Sequence, residues 1–262
     1  MDTHDVKQAA REASRHEAVD KAARVGYVVN GLMHLLIGWI ALQVAWGTSG
    51  TSADQSGALG SLASNGFGRA ILWLGVIGFL GLFVLYAASA IGGWGRTSDR
   101  IKNAGKAIVY LALAVTAFTF ARGGSTSSKK QSNSFTETLL SKPLGTALVV
   151  LIGAVMLGVG VYHVVKGWKK KFLADLDTNP GPVFVRAGQV GYVGKGIALG
   201  VVGLLFVVAA VTHNPKKAGG LDTALRSLAA APGGTFLLTF VALGFVAFGV
   251  YSFARARYGE VR

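Results

Sequence analysis

The chain contains no cysteine. That absence removes disulfides, thiolate metal sites, c-type haem attachment and thiol nucleophiles. Acid is scarce too: 12 Asp and Glu stand against 26 Lys and Arg. Charged residues make up only 15 % of the 262, against about 25 % in an ordinary soluble domain. No paired carboxylates, no H-E-x-x-H and no G-x-S-x-G occur where a site would need them, and serine falls mostly in loops without a His–Asp support. These absences predict a protein that is not an enzyme and that holds neither a cofactor nor a metal.

What the chain has in abundance is apolar length. It is 52 % hydrophobic, carries 37 glycines and has a mean hydropathy of +0.49. Apolar runs lie at about 25–46, 70–92, 103–121, 143–167, 187–212 and 234–254. Each is near the roughly 20 residues that a helix needs to cross a hydrocarbon core of about 30 Å. All 12 acidic residues fall outside these runs. A buried soluble helix of this length keeps a polar stripe, and these do not. The fold class that follows is all-α: a polytopic membrane protein with six transmembrane helices. The lack of intramembrane acids argues against a cation- or proton-coupled transporter of the usual design.

The formal net charge of +14 would suggest nucleic acid in a soluble protein. Placement gives a different reading. The N-terminus, the second and fourth loops and the C-terminus, with the adjoining span ends, hold 18 of the 26 basic residues, and the opposite side holds 8. The positive-inside rule then puts both termini in the cytoplasm (N-in, C-in). The basic excess reads as topology plus attraction to anionic lipids, at about 1 kcal/mol per well-placed charge, and not as nucleic-acid binding. Residues 1–21 are charged and lack an apolar h-region, so they read as a cytoplasmic segment and not as a cleavable signal peptide.

Val190 to Gly196, "VGYVGKG", resembles a phosphate-gripping loop, but the Walker spacing and the following hydroxyl are missing. No acidic residue follows within the distance that a dinucleotide fingerprint needs. The stretch is instead one copy of a repeat. Arg24–Gly31 reads "RVGYVVNG" and Gln189–Gly196 reads "QVGYVGKG"; Arg100–Ala107, "RIKNAGKA", is a distant copy with Lys102 and Asn103 replacing the Gly-Tyr pair. A second signature, Leu-x-x-x-(Pro/Gly)-x-Gly, precedes each even-numbered run at Leu62–Gly68, Leu139–Gly145 and Leu228–Gly234. The unit is a two-helix hairpin used in tandem: residues 22–97, 98–175 and 176–262, the last with a cytoplasmic tail. With the basic ending "FARARY" (Phe253 to Tyr258), these motifs resemble an uncharacterised bacterial membrane-protein family, a domain of unknown function with three two-helix repeats. The resemblance implies six spans in the bacterial inner membrane and supplies no activity.

Within the runs, Asn30, Lys106 and Lys195 occupy equivalent repeat positions. Packed about a pseudo-threefold axis, they would converge into an anion-attracting site near the inner face. Pointed outward, the lysines would snorkel to headgroups. His34 lies one turn beyond Asn30 and joins the candidate ligand-binding set, as a packed, hydrogen-bonded or proton-linked histidine. Haem ligation by His34 with His163 is disfavoured, because the two differ in depth by on the order of 10 Å. Glycines at 75, 78 and 81, and at 196, 200 and 203, suit close helix packing, within the chain or in a homo-oligomer or partner face. Gln43, Ser89, Thr116 and Thr119 read as helix–helix hydrogen-bond partners, and Trp39, too deep for an interfacial belt, as a packing residue. The leading functional expectation is an accessory or structural module with a possible membrane-protein partner. The alternatives are a small carrier or channel for an anionic solute, and a lipid-binding protein.

Overall fold

The computed structural model describes residues 17–92 and 97–259. Most of the segment read as cytoplasmic, residues 1–16, and the loop residues 93–96 lie outside the described residues. Among the described residues nine α-helices follow one another: α1 (Glu17–Ala45), α2 (Gln55–Ala63), α3 (Gly66–Ile91), α4 (Thr97–Ala121), α5 (Ser128–Leu140), α6 (Gly145–Trp168), α7 (Pro182–Val211), α8 (Gly220–Ala229) and α9 (Gly234–Tyr258). Short 3₁₀ turns, Lys171–Asp175 and Pro215–Ala218, follow α6 and precede α8. Six of these helices are long and apolar enough to cross a membrane: α1, α3, α4, α6, α7 and α9. They match the six apolar runs to within a few residues, and α1, α4 and α9 are extended by polar residues at one end.

The loop signature is more than a turn. It closes a short helix (α2, α5 or α8) and starts the next span. Its last residue must be glycine for a local reason. A Cβ at Gly68 would stand 1.9 Å from the Leu62 carbonyl oxygen, and one at Gly145 would stand 1.7 Å from that of Leu139. In the third copy, a Cβ at Gly234 would stand 2.2 Å from the Ala229 carbonyl oxygen and 2.3 Å from that of Leu228. So the first and last residues of the motif touch each other; the glycine serves the motif and not a neighbouring span. Asn65 caps α3 by accepting from the Gly68 N–H at 2.8 Å. In the other copies a left-handed residue, Leu144 (φ 63°) or Gly233 (φ 69°), makes the corner.

The six spans form an open arc in the order α4–α3–α1–α9–α7–α6. Inside lipid, helices associate by close contact and not by hydrophobic expulsion from water, so each seam shows its contacts plainly. At the α1–α3 seam, a Cβ on Gly26 would meet Gly78 O at 2.4 Å. At α7–α9, Gly194 and Gly244 approach so closely that a Cβ on either meets the other's Cα at 2.7 Å. Gly31 abuts Gly249 across α1–α9, and Gly160 abuts Gly196 and Gly200 across α6–α7. The α3–α4 seam uses rings instead: Phe79 and Tyr86 stack on Tyr110, and Trp73 meets Phe118 edge-on.

The second repeat thus keeps its place in sequence but not its hairpin in space: α4 and α6 do not pack on each other. Its residues explain why. At the positions of the zipper glycines Gly78 and Gly244 it has Val155, and at those of Gly26 and Gly191 it has Lys102. A valine and a lysine cannot reproduce a backbone-to-backbone contact. The burial follows: 56, 50, 44 and 50 % of the apolar stretches of α1, α3, α7 and α9 are buried, against 28 % for α4 and 17 % for α6.

The far end of the arc is held by its loops. Asp222, 2 % exposed, accepts from the Ala53 N–H at 3.0 Å and from Arg226 Nε at 3.0 Å. The Ser128 N–H donates to Ser56 Oγ at 3.4 Å, and Ser132 Oγ donates to the Ala218 carbonyl. All three repeats meet in this polar cap, so α5 joins α4 and α6 across a seam that their own side chains leave open.

Candidate functional site

The opposite end, where α1, α4 and α7 begin and α3, α6 and α9 finish, is basic. Three linked groups of side chains fill it. The first is centred on Arg255 of α9. Its Nη2 donates to the Tyr27 hydroxyl at 3.0 Å and to the Tyr86 hydroxyl at 3.2 Å, and these hydroxyls bond each other at 2.6 Å. The guanidinium lies 4.4 Å from the centre of the Tyr27 ring, within cation–π range. Its buried Nε has no hydrogen-bond partner. Lys106 of α4 places Nζ 4.6 Å from the centre of the Tyr86 ring, which stacks on Tyr110.

The second group holds Asn30, His34 and Lys195. Lys195 Nζ lies 3.2 Å from His34 Nε2 and 4.2 Å from the centre of the Phe248 ring. An ammonium has only donors, so Nε2 accepts. Nδ1 then carries the hydrogen donated to the Asn30 carbonyl at 2.8 Å. The Asn30 side chain reaches Ser252 Oγ at 3.5 Å.

The third group closes the end of α6. Lys166 Nζ and Asp175 Oδ2 pair at 2.6 Å, with the side chains 13 % and 25 % exposed. The Tyr192 hydroxyl approaches the same carboxylate oxygen at 3.5 Å. Phe172 seats the 3₁₀ turn between Tyr192 and Tyr251, and its carbonyl accepts from the Tyr251 hydroxyl at 3.1 Å. Burial raises the proton affinity of Asp175, but the Arg255 and Lys166 charges outweigh it and hold this carboxyl below its ordinary range. Lys106 contributes to the same effect.

Of the four residues picked out in the sequence, Asn30, His34 and Lys195 come together. Lys106 is exposed and sits in the Arg255 group instead. It therefore neither closes a threefold ring with Asn30 and Lys195 nor simply reaches for the headgroups. Sequence reasoning missed Lys166 and Arg255, which it counted only as topology. Their signal was present: Ser89, Lys166 and Arg255 stand at the same distance beyond the last glycine of the loop motif in the three repeats. Two repeat positions thus supply the whole charge. Both are neutral in the first repeat (Asn30, Ser89) and basic in the second and third (Lys106, Lys166; Lys195, Arg255).

Other side chains differ from expectation. Thr116, Thr119 and Ser89 bond the carbonyls of Ala112, Val115 and Leu85 on their own helices, which satisfies the hydroxyls without a second span. Trp39 is 59 % exposed, so it faces outward and does not pack. His163 bonds the Val159 carbonyl one turn back and lies against Tyr192.

Fold and site together define a multi-pass membrane protein built from three tandem modules. The chain matches the Domain of Unknown Function family DUF1206 at residues 25–93, 101–170 and 190–259, and it belongs to that family. It is similar to the uncharacterized protein YxxB of Bacillus subtilis (strain 168), with 29 % identity over 254 residues, covering 92 % of this chain and 91 % of that protein. No solved structure matches the chain.

Proposed function

We propose that the basic end binds an anion inside the membrane, a phosphate or carboxylate group, and that this binding is what the protein does. One observation carries the reading. Four cationic side chains from four different spans (Lys106, Lys166, Lys195 and Arg255) stand in the three groups of the basic end, and the one carboxylate in those groups, Asp175, pairs with Lys166. Removing charge from water is costly unless it is paired. A cluster left three charges in excess attracts a counter-charge from outside the chain. Rings on Tyr27, Tyr86 and Phe248 hold the cations in place without neutralising them. In this reading the basic end faces the cytoplasm of a bacterial inner membrane, and anionic lipids surround it.

The test is a thermal-shift and calorimetric titration of the purified protein with inorganic phosphate. Wild type gains stability as the anion binds. The double variant Lys106→Ala, Lys195→Ala folds but loses at least about tenfold in affinity, equal to roughly 1.4 kcal/mol. Equal affinity in both proteins rejects the cluster as the binding site. The second reading is an accessory subunit that packs on a protein partner. The thinly buried α4 and α6 favour it.

A further inference from the structure

We infer that the anion is the headgroup of an amphiphile whose acyl chain lies in the open seam between α4 and α6. The inference rests on the anion-binding reading above and extends it from a charge class to a lipid class. Three observations meet. First, the seam is open where Val155 replaces the even-span glycine that zips both other repeats, Gly78 and Gly244, and Lys102 replaces Gly26 of the first. Secondly, the cations at its basic end come from both sides: Lys106 from α4, and Lys166 from α6. Thirdly, the walls change from basic to apolar away from that end. Ile108 and Val115 on α4 are 69 % and 59 % exposed, and Val155 and Leu151 on α6 are both 58 % exposed.

A hydrated anion needs the charge but gains nothing from an apolar slot opening sideways to the bilayer. A phospholipid uses both parts. Its phosphate meets the ammonium and guanidinium groups, and its chain meets aliphatic side chains. It reaches the site by sliding in the membrane plane, so no part of it crosses water. A second copy of the chain, or another protein, would cover the apolar walls equally well but would leave the cations unmatched unless it brought acid to the same depth. The charge excess at the seam therefore decides for the lipid.

The absence of cysteine gives a clean test. Gly105 and Val155 are the repeat equivalents of Gly194 and Gly244, which touch across the α7–α9 seam. They stand at those repeat positions on the two spans that border the open seam. A Cβ at Gly105 meets no atom within 4 Å, so a side chain fits there. The variant Gly105→Cys, Val155→Cys carries the molecule's only thiols, and a bis-maleimide spacer bridges them. Each single-cysteine variant capped with N-ethylmaleimide controls for the added bulk. Capture of phosphatidylglycerol, against phosphatidylcholine, is read by mass spectrometry after detergent exchange. Inorganic phosphate binding is read alongside.

The expected result is that wild type and the capped controls retain phosphatidylglycerol selectively. The bridged protein captures about tenfold less, while its phosphate affinity changes by less than about twofold. Undiminished capture by the bridged protein overturns the seam as the route. Phosphate binding by wild type without selective retention of phosphatidylglycerol overturns the lipid inference and leaves the anion reading standing. Failure to bind either probe removes both. Cross-links formed between two chains at Gly105 identify a second copy as the occupant and likewise overturn the inference.

Discussion

The first and third repeats are closed hairpins, and the second is not. In the outer two, an odd and an even span meet through glycine: Gly26 on Gly78, and Gly194 on Gly244. In the middle one Lys102 stands in the place of Gly26 and Val155 in that of Gly78 and Gly244, and the spans stand apart. The contrast is instructive because the three units share one plan. Hydropathy alone makes all six helices membrane-compatible, but it does not make them pack. In lipid, a single branched side chain at a backbone contact decides whether a seam closes. A second contrast lies over the first. The cation positions are neutral in repeat one and basic in repeats two and three, and those of repeat two, Lys106 and Lys166, lie on the spans that border the open seam.

The most forceful way to break this comparison is to make an outer repeat resemble the middle one. Gly244→Val places a branched side chain where a Cβ already meets the Gly194 Cα at 2.7 Å. We expect a loss of about 3 kcal/mol or more, or failure to fold, read as a collapse of the monodisperse peak on gel filtration. Gly78→Val should do the same at the α1–α3 seam, whereas Val155→Leu in the open seam should cost less than about 0.5 kcal/mol.

Next in size is Asp175→Asn. It leaves Lys166 and Arg255 without their carboxylate and should cost on the order of 1–3 kcal/mol. The pH dependence follows from a folded-state pKa that is lowered. The stabilisation is fully present above the unfolded value of about 3.9 and is lost as pH falls through the lower folded value. The wild-type melting temperature should therefore drop more steeply below about pH 4 than that of Asp175→Asn, because the variant has no such carboxylate to protonate. Parallel acid limbs would remove Asp175 from the account.

Tyr86→Phe removes a hydroxyl that accepts from Arg255 and bonds Tyr27, and should cost about 1–2 kcal/mol. Tyr162→Phe, on the exposed outer face of α6, serves as the neutral control. The mildest change sharpens the comparison from the other side. Lys102→Gly with Val155→Gly restores the zipper of the outer repeats. It should raise stability by roughly 1 kcal/mol and lower phosphatidylglycerol capture, since a closed seam excludes the acyl chain.

Much of this arrangement was legible in the sequence, for identifiable reasons. Length and apolarity fix a membrane helix, so the six spans from Glu17–Ala45 to Gly234–Tyr258 follow their runs closely. The three repeats were readable because Gly68, Gly145 and Gly234 each abut a carbonyl at the start of their own motif, and only glycine fits. The grouping of Asn30, His34 and Lys195 was half legible: spacing put Asn30 and His34 on one face, but only packing brings Lys195 to 3.2 Å. The open seam was written in Lys102 and Val155, yet its meaning depends on which spans touch, and a hydropathy profile does not encode that. Arg255 escaped notice because a basic residue near a span end ordinarily marks topology. Here it turns inward, and two tyrosine hydroxyls hold it there.

The most direct measurement is a native mass spectrum of the protein, extracted gently from its own membrane, beside that of the Lys106→Ala, Lys195→Ala variant. The account predicts an anionic phospholipid retained on the wild-type chain and lost from the variant. A wild-type chain that carries no anionic lipid, or that carries a stoichiometric protein partner in its place, contradicts it.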